Sequence, residues 1–340
     1  MIVVMQAGAT EDDVQAVVNS LTRAGWGHHL VRGVERTIVG AIGVLDEEKG
    51  AVAEQLSRLS GVERVVPISR PYKMVSLEFT RERSTVDIAG VVFGGERVPV
   101  IAGPCAVEGL EMLLETAHAA KAAGASCLRG GAFKPRTSPY DFQGLGEEGL
   151  RYLAQAREET GLPVVTEVMD VRQVPVVAEY ADCFQIGTRN MQNFDLLREV
   201  GQTGKPVVLK RGWAATIDEW LKAAEYVASS GSLSILLCER GIRTFATETR
   251  NTLDISAVPL AKALSHLPVI IDPSHAVGRW ELVRPMALAA VTAGADGLMI
   301  EIHPRPLEAL SDGPQSLTLD AFADVMTRIR AVAEAIGRAV

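Results

Sequence analysis

SCLRGGAFKPRTSPYDFQGLGEEGLRYLAQAREETGLPVVTEV, residues 126–168, contains a strand, a loop, a helix and a second strand in that order. The apolar run 126–130 ends at Arg129-Gly130. A polar loop with two prolines follows, 147–160 carries apolar residues at helical spacing, and 163–168 is another apolar, β-branched run. Strands that are apolar throughout and separated by helices belong to parallel sheets covered by helices. The alternation continues in both directions. Strands are expected at 98–102, 126–130, 163–168, 183–187, 206–210, 234–238, 268–271 and 297–302. Helices are expected at 110–123, 147–160, 171–180, 194–203, 216–230, 258–266, 281–293 and 319–339. Eight such units across 98–340 predict an α/β fold, a (β/α)8 TIM barrel. A doubly wound open sheet is the alternative, but it normally carries a Gly-rich dinucleotide turn, and no GxGxxG occurs.

Upstream, residues 1–70 follow a βαββαβ order: strand 1–6, helix 11–24 behind Thr10, strands 26–32 and 37–44, helix 47–59, and strand 62–68. This predicts a small ferredoxin-like domain, either a docking or oligomerisation lobe or a ligand-sensing module. His28 and His29 are adjacent in a strand, so they face opposite sides and cannot share one metal. Residues 69–72 read as a linker. The alternating region 75–95 reads as a hairpin turning at Gly94-Gly95, so 71–97 is expected to link the two parts and cap the barrel.

The chain has 340 residues, 47% of them hydrophobic and 22% charged, as expected for a soluble globular protein. No segment reaches the ~18 apolar residues of a membrane span. The N-terminus lacks the basic start and long apolar core of a secretion signal. Cys105, Cys127, Cys183 and Cys238 stand apart without a CxxC pair, which fits a reducing cytoplasm. A net charge of −8 argues against nucleic-acid partners. Anionic substrates would therefore have to be drawn by a local cationic cluster.

Such a cluster is expected, because residues that follow barrel strands share one mouth. The strand ends supply Arg129, Lys134, Arg136, Arg189, Lys210, Arg211 and Arg240, together with Glu167, Glu239, Glu301 and His303. Guanidinium forks and ammonium groups of this kind hold phosphate and carboxylate oxygens. A second group, Cys105, His275 and Glu301, comes from strands one, seven and eight, which are neighbours in a closed barrel; Asp312, in a Gly-Pro-rich loop, could join as a fourth ligand. Thiolate, imidazole and carboxylate together suit a divalent ion such as Mn, Fe, Co or Zn. A metal beside a cationic rim suggests a reaction between anions in which a carbonyl is polarised. No GxSxG elbow supports a serine triad, while Schiff-base chemistry at Lys210 remains open.

The motifs IAGPCAVE (101–108), LRGGAFKPRTSPYDFQGLG (128–146), TEVMD (166–170), QIGTRNMQNF (185–194), VLKRG (208–212), CERGIRTF (238–245), TRNTLDISAVP (249–259), IDPSHAVG (271–278) and MIEIHPRP (299–306) resemble those of 3-deoxy-D-arabino-heptulosonate 7-phosphate (DAHP) synthases of the short microbial, type I beta-like subtype. The resemblance covers residues 75–340; residues 1–70 resemble, more weakly, the regulatory domain of some members. It implies condensation of phosphoenolpyruvate with erythrose 4-phosphate, releasing phosphate, as the first step of the shikimate pathway. It also implies Cys105, His275, Glu301 and Asp312 as metal ligands. Arg129, Lys134, Glu167, Arg189, Lys210, Arg240 and His275 would lie around phosphoenolpyruvate, and Lys134, Pro135, Arg136 and Thr137 would form the erythrose-phosphate motif. Lys134 is a candidate proton donor to the new alkoxide, with water on the ion as the rival. The resemblance further suggests a homotetramer and feedback by tyrosine or phenylalanine. Two other readings are weighed: a 3-deoxy-octulosonate 8-phosphate synthase using arabinose 5-phosphate, whose KANRS-like run is replaced here by Lys134-Pro135-Arg136-Thr137-Ser138, and a non-catalytic subunit that senses an aromatic amino acid.

Overall fold

The computed structural model describes residues 1–33, 36–45, 48–67 and 71–340, in two compact units, Met1–Arg81 and Glu82–Val340. The expected start of helix 47–59, the end of strand 62–68 and the first half of the linker 69–72 lie outside the described residues.

The first unit contains β1 (Ile2–Met5), α1 (Glu11–Arg23), β2 (Gly27–Arg32), β3 (Thr37–Ile42), α2 (Lys49–Ser57) and β4 (Val62–Val66). The sheet order is β2-β3-β1-β4, with antiparallel pairing throughout, which is the ferredoxin-like arrangement. Thr10 and Asp13 close a capping box at the head of α1, which presents Val14, Val17 and Leu21 to a core shared with Met1, Val3, Met5 and Leu56. Residues 71–81, expected in the linker region, group with this unit.

The second unit opens with a hairpin, β5 (Val86–Ile88) and β6 (Val91–Phe93). Its turn is Ala89-Gly90 rather than the expected Gly94-Gly95: both residues have positive φ, 47° and 92°, as a two-residue primed turn requires. Then follow β7 (Val100–Gly103), α3 (Leu110–Ala123), β8 (Cys127–Arg129), α4 (Glu147–Thr160), β9 (Val164–Val168), α5 (Val174–Tyr180), β10 (Cys183–Ile186) and α6 (Phe194–Gln202). The chain continues through β11 (Val207–Lys210), α7 (Ile217–Ser229), β12 (Ile235–Glu239), α8 (Ala257–Leu264), β13 (Val269–Ile271), α9 (Pro273–Val277), α10 (Trp280–Thr292), β14 (Gly297–Glu301) and α11 (Leu319–Ala335). The strands β7 to β14 pair in parallel with their sequence neighbours, and β14 returns to β7, closing the barrel.

Two expected helices are trimmed for local reasons. The segment 171–180 begins as a single 3-10 turn, Val171–Gln173, and becomes α-helical only at Val174, where Pro175 sits in the first turn with no N–H to satisfy. The last helix stops at Ala335, because Gly337 turns the chain with φ 74° and the Val98 amide donates to Ala339 O at 2.7 Å.

Inside the barrel, Ile101, Val165, Val208, Ile270 and Met299 pack with Cys127, Cys183 and Cys238, whose thiols are all pushed up by burial. Val86, Ile88 and Phe93 of the hairpin join the same cluster. The Phe93 ring rests on Gly297, where a Cβ would lie 2.8 Å from it, so a side chain at 297 and this ring compete for one space. Gly297→Ala should therefore cost about 1–3 kcal/mol as an overpacked core does. In a Phe93→Leu background the loss should shrink, as read from urea denaturation midpoints of the four proteins.

Candidate active site at the mouth of the barrel

The C-terminal ends of the strands bring the expected ligand group together. Cys105 lies just past β7, His275 in the short α9, Glu301 at the last position of β14, and Asp312 at the head of a 3-10 turn, in the left-handed region at φ 55°. One ligand atom from each falls within 4.8 Å of all the others. Cys105 Sγ is 3.1 Å from Asp312 Oδ2, and His275 Nε2 is 3.3 Å from Glu301 Oε1 and 3.6 Å from Asp312 Oδ2. A thiol, an imidazole and two carboxylates this close, mostly buried, fit a divalent transition ion by donor chemistry and by spacing.

Each ligand is braced from behind. Asp272, fully buried at the head of α9, accepts the His275 amide at 2.9 Å on Oδ1. Its Oδ2 takes the Lys210 ammonium at 2.6 Å and lies 2.8 Å from His275 Nδ1, off the line of a good hydrogen bond. Glu301 is held by Arg129 and by Gln315, and its amide donates to Ser274 Oγ at 3.0 Å. Arg250 donates to Asp312 Oδ1 at 3.0 Å and to Gln315 Oε1 at 2.8 Å. Burial lowers His275 from its ordinary 6.5 to about 4, against the pull of Asp272 and Glu301. Burial, with Glu301 adding to it, pushes the Cys105 thiol up to about 12. Burial alone would raise the carboxyls of Glu301 and Asp312, but His275, together with Arg129 for the first and Arg250 for the second, keeps both below the usual carboxylate range.

Above this group lies a cavity of about 210 Å³, into which His275 and Asp312 also face. Its cations are Lys134, Arg136, Arg189, Lys210, Arg240 and Arg250. Pro135, Thr137 and Glu167 line it as well, and Gly187 leaves the room that the Glu167 carboxylate occupies: a Cβ there would fall 2.0 Å from Glu167 Oε1. Lys134 Nζ donates to Cys105 O at 2.9 Å and contacts Cys105 Sγ at 3.0 Å. Burial opposes the charge on Lys134, but Cys105 and Glu167 raise its pKa and keep it protonated. Arg136 donates to Ser311 Oγ at 2.6 Å, and Ser311 Oγ donates in turn to Cys105 Sγ at 3.2 Å. Arg240 is 3% exposed, and its Nε and Nη1 have no hydrogen-bond partner. A buried guanidinium left this way is costly, and an anion entering the cavity removes the cost.

Not every expected cation reaches the cavity. Arg129 sits beneath it, paired with Glu301. Arg211 is turned away: it bonds Glu239 at 3.0 Å, Asp254 at 2.8 Å and the Ala215 carbonyl at 2.9 Å. The reason is strand alternation, since Lys210 ends β11 facing inward and the next side chain must face outward. Burial pushes the Glu239 carboxyl up although Arg211 opposes it, and its oxygens bond Arg211 and the Gly241 amide within the protein, outside the cavity lining. His303 is buried with Nε2 3.5 Å from Glu108 Oε2, outside the cavity. The structure adds Arg250, Gln185 and Trp213 to the lining, and Asp272, Gln315 and Ser311 to the braces. Of these only Asp272 had a readable signal, an Asp three residues before His275 at the head of a turn.

Comparison with known proteins gives concordant matches. Residues 78–336 match the DAHP synthetase I family, and residues 1–70 match the DAHP synthase ferredoxin-like domain. The chain is 50% identical over 337 residues, 99% of each chain, to the phospho-2-dehydro-3-deoxyheptonate aldolase of Thermotoga maritima. It is 36% identical over 253 residues, 68% of this chain and 91% of the other, to a 2-dehydro-3-deoxyphosphooctonate aldolase of Nitratidesulfovibrio vulgaris. A crystal structure of the Thermotoga maritima phospho-2-dehydro-3-deoxyheptonate aldolase aligns with TM-score 0.79 at 49% identity, covering 100% of this chain and 98% of that one. A truncated form of the 3-deoxy-D-arabino-heptulosonate 7-phosphate synthase from Thermotoga maritima aligns with TM-score 0.74 at 50% identity, covering 78% of this chain and 98% of that one.

Two outcomes follow from the ligand geometry. Asp272→Asn should weaken binding of added Mn(II) or Zn(II) roughly 10–100-fold, as loss of a brace does, and Cys105→Ala should weaken it further with unchanged circular dichroism; titration calorimetry measures both. In chelated protein, His275 is held near 4 in the fold against 6.5 unfolded, so below pH 6.5 the unfolded chain takes up a proton that the folded one refuses. That contribution is complete above 6.5 and is lost as pH falls toward 4, so the urea midpoint should be lower at pH 5 than at pH 7.5.

Proposed function

Since the chain belongs to the DAHP synthetase I family, we propose that its barrel mouth performs the DAHP synthase reaction with the residues described above. The reaction joins phosphoenolpyruvate to D-erythrose 4-phosphate with water, giving 3-deoxy-D-arabino-heptulosonate 7-phosphate and phosphate, and is the first step of the shikimate pathway. The observation that carries the assignment of residues is Arg240, a buried guanidinium whose Nε and Nη1 have no hydrogen-bond partner, in a cavity that shares His275 and Asp312 with the ligand group.

Carbon three of the enol forms a bond to the aldehyde carbon, the aldehyde oxygen takes a proton, water adds at carbon two, and the carbon–oxygen bond to phosphate breaks. Cys105, His275, Glu301 and Asp312 would hold a divalent ion, Mn, Fe, Co or Zn, which would supply Lewis-acid polarisation of the aldehyde. Arg189, Lys210 and Arg240 hold the carboxylate and phosphate of phosphoenolpyruvate, and Lys134, Pro135, Arg136 and Thr137 hold the sugar phosphate, so that both anions are fixed before reaction. Arg129 holds Glu301 in place from outside the cavity lining. Lys134, kept protonated among Cys105 and Glu167, is placed to give its proton to the new alkoxide. Lys210 is committed to Asp272 at 2.6 Å, which favours an anion contact over a Schiff base.

The N-terminal unit senses tyrosine or phenylalanine, a reading the ferredoxin-like match supports, and the enzyme works in the cytoplasm, which four buried, unpaired cysteines support; its homotetrameric state rests on the family resemblance alone. A steady-state assay offering erythrose 4-phosphate and arabinose 5-phosphate separately should give turnover with the first; turnover with the five-carbon sugar alone would overturn the assignment. Lys134→Ala should lower kcat about 10²–10⁴-fold. Removal of residues 1–70 should leave activity and abolish inhibition by either amino acid, and inhibition that survives would refute the sensing role.

A further inference from the structure

The cations of the mouth are fixed in two different ways. Lys210 has Asp272, Arg250 has Asp312, Arg136 has Ser311 and lies 3.6 Å from Asp141, and Lys134 has Cys105. Arg189 and Arg240 have no carboxylate among the described residues. Arg189 makes one side-chain hydrogen bond, to Thr137 Oγ1 at 3.3 Å, and Arg240 leaves Nε and Nη1 without partners. Both lie over one ring. The guanidinium carbon of Arg189 is 5.0 Å, and that of Arg240 6.0 Å, from the centroid of Trp213, which lines the same cavity. A third guanidinium, Arg243, stands 4.6 Å from the ring, and its amide donates to the Trp213 carbonyl at 2.8 Å, tying the ring's backbone to the loop after β12.

We propose that Trp213 is a positioning residue: its ring face orients Arg189 and Arg240 toward the cavity and so sets the affinity for phosphoenolpyruvate. The indole face is negative and attracts cations. It restrains each guanidinium without using the N–H groups that an incoming phosphate or carboxylate needs. A carboxylate in its place would restrain them equally well but would occupy those donors and cancel the charge. The ring face repels an anion, so Trp213 contributes through the arginines and not by contact with the reacting atoms. This inference rests on the reading of the cavity as the phosphoenolpyruvate site.

The test is the series Trp213→Tyr, Trp213→Phe and Trp213→Leu in the full-length, metal-replete enzyme. Direct binding of phosphoenolpyruvate is read by titration calorimetry, and both KM values and kcat by steady-state assay. The dissociation constant should rise stepwise as the ring face weakens and disappears, reaching about tenfold for leucine, as expected for losing two cation–π contacts. Over the series, KM for erythrose 4-phosphate and kcat should stay within about twofold, and the conservative Tyr variant should retain most of the affinity. If the leucine variant does not fold, the order of Trp, Tyr and Phe still decides. A flat series, equal losses for aromatic and aliphatic replacements, or a loss confined to the sugar phosphate would overturn the proposal. Failure of the wild-type protein to bind phosphoenolpyruvate at all would instead overturn the reading of the site.

Discussion

The carboxylate of Asp272 is the constraint on which the rest of the mouth depends. It is fully buried, and it bridges the Lys210 ammonium at 2.6 Å and the His275 imidazole at 2.8 Å. In doing so it ties the cationic side of the cavity to the cluster of Cys105, His275, Glu301 and Asp312. A carboxylate in so dry a place is tolerated only because cations surround it, and it is held well below the usual carboxylate range although burial alone would raise it. Remove it, and the Lys210 ammonium is left buried without its counter-charge and the His275 amide without its acceptor.

Around that centre the cations divide by what they are for. Arg129 with Glu301, and Arg211 with Glu239 and Asp254, are paired away from the cavity. Of those that line it, Lys210 and Arg250 also hold carboxylates, whereas Arg240 keeps Nε and Nη1 without hydrogen-bond partners. A protein with net charge −8 thus holds a dense positive field at one opening. The cost of keeping unpaired charge there is met when an anion binds, which makes the same feature both a local instability and a source of affinity.

Much of this was legible in the sequence because a parallel barrel converts order along the chain into position. The eight apolar runs read as strands all appear, and the residues just beyond them do share one mouth. Cys105, His275 and Glu301 could be grouped because β7, β13 and β14 are consecutive around a closed barrel. Asp312 could be suspected only from its loop. Arg211 departs from the shared mouth because side chains along a strand alternate between faces, so the residue after inward-facing Lys210 points away. The hairpin turns at Ala89-Gly90, whose positive φ angles the turn needs, and not at the Gly94-Gly95 pair, which is the stronger local signal in the sequence.

The sequence by itself determined the strand periodicity, the barrel class, the ferredoxin-like N-terminal order and the grouping of Cys105, His275 and Glu301, since these rest on local spacing, strand order and residue chemistry. Only the tertiary structure decided which cations are spent on internal pairs and which stay free, and that Trp213, Arg250 and Gln315 belong to the site at all. The physical reason is that pairing and desolvation depend on distances between segments far apart in the chain. Arg250 and Asp312, 62 residues apart, meet at 3.0 Å, and nothing in either one's neighbours encodes that encounter.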